Sequence, residues 1–341
     1  MGTAIGDLLE KKEIELSQLN SRMLGVDSFN VLYQFLSSIR GRDGSPLMDS
    51  EGRVTSHLTG LLYRTANLLD VGIKPVFVFD GEAHKLKEKT RAERREKRLT
   101  AKDKFEEAKK RGDEKEARKY AQQAVQLTGE MIEGAKKLVE LMGLPVVQAP
   151  SEGEAQVAQM VEKGDLYGCV SQDYDALLFG TNLLFRNITV SGKRKAPGKD
   201  YYYDIKPEEI SLAGSLEKLG ISRQKLIWLG VLIGTDFNEK FPKIGPKTAI
   251  KLVQKFDSFE EIEKETGHEL ELEIKELEQL FMKPAFSKDY SIEFSEPDKQ
   301  GIIDFLCGMH DFSEERVGSV VDKIIEKAKE KGEQSRLGAW G

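Results

Sequence analysis

Short apolar runs alternate along this chain with longer segments of helical periodicity. Six runs have the length of a strand, at residues 23–27, 76–79, 145–148, 167–171, 183–190 and 201–205. Amphipathic helical spacing occurs at residues 54–71, at 128–142 and from 207 onward. Strands that alternate with helices predict an α/β fold, with a mostly parallel central sheet and helices on both of its faces.

Acidic residues recur where these apolar segments end. The set comprises Asp27, Asp80, Glu152, Glu154, Asp173, Asp175 and Asp236. Parallel strands bring their carboxyl ends to one rim, where open α/β sheets bind ligands. Carboxylates crowded there cannot all stay ionised unless cations neutralise them. Because the set contains neither His nor Cys, it favours Mg²⁺ or Mn²⁺ over Zn²⁺. Two such ions about 4 Å apart would suit phosphodiester hydrolysis.

Two other interpretations of these acids stay open. A single Asp at a strand end is commonly a helix N-cap or a turn residue, although caps alone explain the recurrence less well. An aspartyl-phosphate enzyme of the haloacid-dehalogenase type needs a second Asp two residues after the first. Phe29 occupies that position after Asp27, which counts against this chemistry.

Residues 82–127 are strongly charged and contain few large apolar side chains. Spacings of four, three and four residues place a set of cations within roughly 60° of one another on a helix: Lys87, Arg91, Arg94 and Arg98. The stripe is suited to hold a scissile phosphate and to steer a strand; a solvated spacer helix is the alternative. Since the segment lacks an apolar face, we expect it to bury itself poorly.

A Gly-Pro turn at residues 241–247 separates a predicted helix at 222–234 from one that begins near 248. Lys247 and Lys251 follow Gly245. Backbone N–H groups at such a helix start can bind DNA phosphates. A plain connection between two helices is the alternative.

The distribution of charge changes what the net charge implies. A formal net charge of −6 by itself argues against nucleic acid as a partner. Residues 81–120 carry +6 and residues 221–256 carry +5, however, whereas residues 257–300 carry −9. A phosphate polymer responds to a local patch within about 10 Å, so the two basic segments are predicted to contact DNA. Two cysteines and four scattered histidines predict neither a disulfide framework nor a zinc site.

An ordered set of motifs resembles the structure-specific 5′ nucleases of the flap-endonuclease group, in particular the archaeal type. These motifs lie at residues 26–28, 55–58, 78–81, 149–155, 173–175, 234–236, 244–247, 295–297 and 312–316. The resemblance implies a PIN-like 5′ nuclease core with a helical arch insertion and a helix-hairpin-helix element. The implied regions are an N-terminal nuclease region (1–98), the arch or cap (99–127), an internal nuclease region (128–256, with the helix-hairpin-helix at 222–256), a C-terminal helical region (257–329) and a sliding-clamp-binding tail (330–341).

The resemblance also implies roles for individual residues. The seven acids match the ligands of two Mg²⁺ ions, for which Mn²⁺ substitutes. One ion is held mainly by Asp27, Asp80, Glu152 and Glu154, and the other by Asp173, Asp175 and Asp236. Lys87 and Arg94 match a basic pair at the scissile phosphate. Tyr33 matches an aromatic side chain that stacks on a base.

Further DNA contacts follow from the same resemblance. They comprise Thr55, Arg64, Arg91, Arg98, Gly245, Lys247 and Lys251. Thr55 and Arg64, together with residues 295–320, look like the pocket for a one-nucleotide 3′ flap. Residues 102–130 match the arch and cap that admit the 5′ flap. The hairpin matches an element that binds duplex DNA and holds a K⁺ ion through backbone oxygens.

Two positions depart from the family pattern. Lys243 stands where the hairpin usually has its first Gly, so we expect strain in the hairpin and at the K⁺ site. At the C-terminus, Gln334, Leu337 and Trp340 fit the box that binds the sliding clamp PCNA, but Gly341 replaces its second aromatic residue. We expect clamp binding with weakened anchoring, and a frayed tail is the alternative.

The leading interpretation is an Mg²⁺-dependent 5′ flap endonuclease with 5′→3′ exonuclease activity. The resemblance implies work in Okazaki fragment maturation and long-patch base excision repair on branched DNA with a 5′ flap. It implies an intracellular monomer without a membrane partner, in the cytoplasm or nucleoid of an archaeon or the nucleus of a eukaryote. A non-catalytic DNA-junction and clamp-binding protein is one alternative, and a related nuclease that acts on bubbles or nicks is the other. The intact acids disfavour the first, and an arch of roughly 45 residues favours free 5′ ends over bubbles.

Overall fold

The structure is a computed structural model that describes residues 3–41, 44–189, 193–195 and 202–338, with the backbone alone at 193–195, 202–203 and 330–338. The strands are β1 (Lys12–Glu13), β2 (Met23–Asp27), β3 (Lys74–Phe79), β4 (Val146–Gln148), β5 (Gly168–Val170), β6 (Leu183–Arg186), β7 (Lys193–Lys195), β8 (Tyr202–Asp204) and β9 (Glu208–Ser211).

The α-helices are α1 (Ser28–Ser38), α2 (Ser56–Asp70), α3 (Glu88–Lys110), α4 (Glu114–Gln123), α5 (Gly129–Leu141), α6 (Gly153–Glu162), α7 (Asp175–Leu178), α8 (Leu212–Leu219), α9 (Arg223–Ile233), α10 (Pro246–Lys255), α11 (Phe259–Thr266), α12 (Ile274–Met282), α13 (Lys299–Ile303) and α14 (Glu314–Gly338). Short 3₁₀ turns occur at Leu16–Leu19 and Lys85–Lys87, and a π-helical turn occurs at Asp304–Gly308. None of the described helices has both the length and the apolarity that crossing a membrane requires.

A seven-stranded sheet in the order β1-β9-β6-β5-β2-β3-β4 forms the centre of the molecule. The adjacent strands β6, β5, β2, β3 and β4 run parallel to one another. β9 is antiparallel to both of its neighbours, β6 and β1. β7 and β8 pair separately as an antiparallel hairpin. The predicted α/β fold with a mostly parallel sheet is confirmed.

The sheet separates two hydrophobic cores. Side chains alternate between its faces along β3. Val76 and Val78 pack with α6, α7 and α9 on one face, whereas Phe77 and Phe79 pack with α1, α2, α5 and α14 on the other. Because both faces are covered, the central strands are continuous apolar runs.

Three strands were not predicted from the pattern: β1, β7 (Lys193–Lys195) and β9. Residues from 207 onward have helical spacing, yet Glu208–Ser211 forms β9, in which buried Ile210 pairs with Leu184 of β6. This strand contributes one fully buried apolar side chain, which is too weak a signal to separate from the following helix. β1 consists of two exposed charged residues, and only its pairing with β9 makes it a strand.

Helices α3 and α4 pack against each other through alanines. Ala101 and Ala108 of α3 and Ala117 and Ala121 of α4 are each at most 6% exposed. The guanidinium of Arg40 ties α4 to the body of the protein by donating to the Ala121 carbonyl (2.9 Å). The expectation that this segment buries itself poorly is therefore wrong for one face. A stripe of alanine is too weakly hydrophobic to be recognised as a core, but it lets two helices approach closely.

Candidate metal and nucleic-acid site

The predicted acids converge on the rim at the carboxyl ends of adjacent strands. Asp27 is the last residue of β2, Asp80 follows β3, and Asp173 follows β5. The β4 connection leads to α6, where Glu152 is the N-cap and Glu154 lies in the first turn. These positions meet because β5, β2, β3 and β4 are neighbours in the sheet.

Asp175 and Asp236 reach the same rim from helices. Asp175 is the first residue of α7, and Asp236 lies two residues beyond the C-cap of α9. That cap is Gly234, whose φ of 96° lies in the region that favours glycine and turns the chain out of the helix. Electrostatic repulsion from Asp236 reaches both Asp175 and Asp80, so it belongs to the same cluster.

Polar side chains hold several of these carboxylates in place. The Ser171 hydroxyl lies 3.0 Å from Asp27 Oδ2 and 3.0 Å from Glu154 Oε1. The Asn30 side-chain amide donates to Asp173 Oδ2 (3.0 Å), and its backbone N–H donates to Asp27 Oδ1 (3.0 Å). Two residues thus connect acids from three separate strand ends.

Helix capping accounts for only part of this arrangement. Asp27 is the N-cap of α1 through Oδ1, while its other oxygen faces Ser171. Asp80 Oδ1 accepts from the backbone N–H of Gly153 (2.8 Å), at the start of α6. These bonds orient two of the seven acids and leave their crowding unexplained.

Burial and mutual repulsion raise the pKa values of four of the clustered carboxyls, those of Asp27, Asp80, Glu154 and Asp175. Burial, followed by the charge of Asp80, raises the pKa of Asp27 to about 8. Burial, followed by the charge of Glu152, raises the pKa of Asp80 to about 6. The pKa of Glu154 is also raised well above its ordinary value, first by burial and then by Asp27. The rim therefore holds more negative charge than its surroundings stabilise.

Two cations of the chain reach into this cluster. The Lys87 ammonium contacts Glu152 and lies 3.8 Å from Asp236 Oδ2, while the Arg94 guanidinium contacts Asp236 Oδ1. Burial alone would lower the pKa of Lys87, but the charges of Glu152 and Asp236 outweigh it and raise this pKa above its ordinary value.

The chemistry of this donor set fits divalent cations. In the described part of the chain, no three His, Cys, Asp or Glu side chains are already gathered closely enough to hold a metal ion, and Lys87 and Arg94 lie among the acids. The acids nevertheless offer only hard oxygen donors, and a divalent charge would lower the raised pKa values of Asp27, Asp80 and Glu154. Mg²⁺ or Mn²⁺ therefore suits this rim.

The four cations of the predicted stripe have different surroundings in the structure. Lys87 lies in the 3₁₀ turn before α3, and it and Arg94 face the acids. Arg98 donates to the hydroxyl of Tyr33 (3.3 Å), whereas Arg91 is exposed. Tyr33 is itself 36% exposed on α1, so its ring is accessible beside α3.

A cavity lies between α2 and α14, in the area predicted to receive a 3′ flap. Its volume is about 440 Å³, and its lining residues are Tyr63, Glu315, Arg316 and Ser319. Thr55 is buried at the start of α2 and Arg64 is half-buried, and neither lines the cavity. Residues 315–319 fall within the range 295–320 of the prediction, and Tyr63 directly precedes Arg64 on α2.

The predicted hairpin between α9 and α10 is present. Gly245 is the N-cap of α10, and Lys247 and Lys251 are exposed. A Cβ added to Gly245 would meet nothing within 4 Å, so the space in front of this helix start is open. Lys243 has a φ of 62°. The hairpin thus has a left-handed backbone conformation at a position where glycine would be preferred, and Lys243 is strained there.

We expect Lys243→Gly to raise the free energy of unfolding by about 0.5–1 kcal/mol. The left-handed conformation costs a non-glycine residue roughly 1–2 kcal/mol, and the greater flexibility of unfolded glycine returns about 0.5–1 kcal/mol of this. Urea denaturation measures the difference. Lys251→Gly, the same change inside exposed helix α10, should instead destabilise by about 1 kcal/mol. A loss of stability in both variants would contradict the strain at Lys243.

The predicted clamp-binding residues lie at and beyond the C-terminal end of the described part of the chain. Gln334 and Leu337 fall in the last turns of α14, where the backbone alone is described, and Trp340 lies outside the described residues.

Three residues beside the acids were missed by the sequence analysis: Thr3, Asn30 and Ser171. Asn30 lies three residues after an N-cap Asp, and Ser171 precedes the Gln172-Asp173 pair, so proximity to the motifs is a weak signal for both. Thr3 is 172 residues away from Asp175, the acid it contacts, and no sequence pattern connects them.

Models of two segments of one protein family match this chain. The XPG N-terminal domain matches residues 4–101, and the XPG I-region matches residues 143–236. Together they cover more than half of the chain, and they define its class as that of the XPG proteins.

Relatives narrow this class. The "Flap endonuclease 1" of Pyrococcus abyssi is 51% identical over 342 residues, which cover 100% of this chain and 98% of that protein. The protein of the same name from Thermococcus onnurineus is 49% identical over 342 residues, which cover 100% of this chain and 99% of that protein. This chain belongs to the flap endonuclease family, as its sequence motifs predicted.

Solved structures agree with this assignment. Flap endonuclease-1 from Methanococcus jannaschii is 41% identical, with a TM-score of 0.77, and the match covers 97% of this chain and 100% of that one. The catalytic core of Rad2 in complex with a DNA substrate is 22% identical, with a TM-score of 0.68 and coverage of 94% and 97%. The latter shows that the two chains share a fold.

Proposed function

We propose that this protein is a metal-dependent nuclease that cleaves DNA phosphodiesters where a 5′ flap joins a duplex. One observation supports this most strongly: seven acids share one rim, and two cations reach them from the segment that leads into a helical arch. A site that only bound DNA would gain nothing from placing carboxylates beside phosphate. Its named relatives are flap endonucleases.

We assign the seven acids to two divalent cations. Asp27, Asp80, Glu152 and Glu154 would hold mainly one ion, and Asp173, Asp175 and Asp236 the other. When bound, these ions lower the pKa of a water molecule and stabilise charge on phosphate oxygens.

The residues of the chain have complementary tasks in this proposal. Ser171 and Asn30 hold the carboxylates in fixed orientations. Lys87 and Arg94, which serve as counter-ions to Glu152 and Asp236 here, would turn to a phosphate once metal neutralises those acids. They would stabilise negative charge that develops on the phosphate oxygens. Tyr33, beside Arg98, would stack on a base next to the scissile bond.

Surfaces away from the rim would position the branched DNA. The exposed lysines after Gly245 would contact phosphates of the duplex, and the hairpin would hold a K⁺ ion through its backbone oxygens. The cavity between α2 and α14 would receive the 3′ flap, with Arg316 as its cation. The helices α3 and α4 would form the arch that admits the free 5′ end. The tail with Gln334, Leu337 and Trp340 would bind the sliding clamp PCNA.

A comparison of three DNA substrates tests the proposed function. The full chain is incubated in Mg²⁺ with a labelled double-flap duplex, a nicked duplex and a bubble of the same sequence. We expect the double flap to be cleaved fastest, because its 5′ end is free to enter the arch. A bubble cleaved as fast as the flap would favour a related nuclease. Binding without cleavage of any substrate would indicate a non-catalytic junction-binding protein.

A further inference from the structure

The N-terminal segment packs directly beneath the acidic rim. Ile5 is fully buried in the core that contains α6, α7 and α9. Gly6 passes so close to Tyr174 that an added Cβ would lie 2.3 Å from the tyrosine hydroxyl. Since Tyr174 precedes Asp175, the segment is anchored beside a proposed metal ligand.

Thr3 makes two hydrogen bonds to that ligand. Its backbone N–H and its hydroxyl both donate to Asp175 Oδ1, at 2.8 and 2.6 Å. Thr3 is 1% exposed and Asp175 is 5% exposed, so water competes little for these bonds. Because both donors share Oδ1, they fix the rotation of the carboxylate through that oxygen.

The methyl group of Thr3 has a separate contact. A Cβ added to Gly230 of α9 would lie 3.6 Å from Thr3 Cγ2, so this methyl faces the helix. The hydroxyl and the methyl therefore have different partners. Valine keeps the methyl and removes the donor, whereas serine keeps the donor and removes the methyl.

We propose that Thr3 is a positioning residue, whose hydroxyl orients Asp175 for binding a divalent cation. The inference rests on the proposed function, in which Asp175 is a metal ligand. Hydrogen bonds to a ligating group set its orientation, and their loss typically lowers metal affinity by about 10–100-fold. One of the two donors, the backbone N–H, survives any substitution, so we place the effect of losing the hydroxyl at the lower end, about tenfold.

Isothermal titration calorimetry with MnCl₂ on the DNA-free full chain measures this directly. We expect Thr3→Val to weaken Mn²⁺ binding about tenfold and Thr3→Ser to stay within about twofold of the unmodified chain. Thr181→Val is the matched control, because Thr181 is fully buried and its hydroxyl has no hydrogen-bond partner among the described residues. Flap cleavage by Thr3→Val should recover as Mg²⁺ is raised.

The substitutions separate positioning from packing. Mn²⁺ affinity of Thr3→Val equal to that of the unmodified chain would overturn the role of the hydroxyl. A greater loss in Thr3→Ser than in Thr3→Val would assign Thr3 to packing through its methyl, which would also overturn it. If Thr3→Val fails to fold, Thr3→Ala compared with Thr3→Ser makes the same test. An unmodified chain that binds no Mn²⁺ and cleaves no flap would instead refute the proposed function.

Discussion

Replacing Asp80 with asparagine should slow cleavage of a 5′ flap by more than about a hundredfold and leave binding of the flap DNA intact. Changes to residues that merely support a metal ligand cost about 10–100-fold, so loss of a ligand's charge should exceed that range. The substitution is nearly isosteric. An amide oxygen can still accept the bond from the Gly153 N–H that Asp80 Oδ1 accepts at 2.8 Å. Single-turnover cleavage and fluorescence anisotropy measure the two quantities.

The loss of activity in Asp80→Asn should occur without a loss of stability. Burial and the charge of Glu152 raise the pKa of Asp80 to about 6, which means that its ionised form is less favourable in the metal-free fold than in the unfolded chain. A neutral side chain relieves this repulsion, so the melting temperature without Mg²⁺ should not fall. Asp257→Asn is the matched control, because that side chain is 96% exposed. Cleavage by Asp80→Asn within a few-fold of the unmodified rate would contradict its assignment as a ligand.

Replacing Lys87 with methionine should slow flap cleavage at saturating DNA and Mg²⁺ by about a hundredfold. Removing one group that stabilises developing charge typically costs 10²–10³ in rate. Methionine keeps much of the length of the side chain and its packing near Phe237, whose ring centroid lies 4.9 Å from the Lys87 ammonium. Rapid-quench measurements separate this chemical step from product release.

Lys89→Met provides the control for Lys87→Met. Lys89 lies two residues further along and is 57% exposed, and it pairs with Glu239 (2.7 Å) and Glu271 (3.4 Å) rather than with the clustered acids. Its replacement should change the rate less than about twofold, as exposed ion pairs contribute little. Equal losses in both variants would indicate a general effect of positive charge on DNA binding instead of a role for Lys87 at the scissile phosphate.

The helix cap and the proposed metal ligand are two uses of one side chain at Asp27. One oxygen caps α1, and the other faces Ser171 in the acidic cluster. A strand-end Asp can therefore be both a helix N-cap and a member of the acidic cluster. A substitution at Asp27 would alter both the helix start and the cluster, which is why Asp80 is the cleaner site for the test.

Local pattern was sufficient for the parallel strands of the central sheet, from β6 to β4. Each of its core strands is an apolar run with both faces buried, and the strands that carry the acids are adjacent and parallel, so periodicity and chain order together imply one rim. Local pattern failed at β9, where a single buried Ile210 marks the strand, and at the α3–α4 contact, which alanines form. In both cases the local sequence signal is weak, and the structure depends on the neighbouring element: β6 pairs with β9, and α4 packs against α3.

The sequence alone determined the fold class, the seven acids, the basic segments and the family, because these depend on residue type and on spacing along the chain. The tertiary structure decided which groups meet. It placed Lys87 against Glu152 and Arg94 against Asp236, and it brought Thr3 to Asp175 across 172 residues. Such contacts depend on how elements pack in three dimensions, and periodicity, which acts over a few residues, carries no information about them.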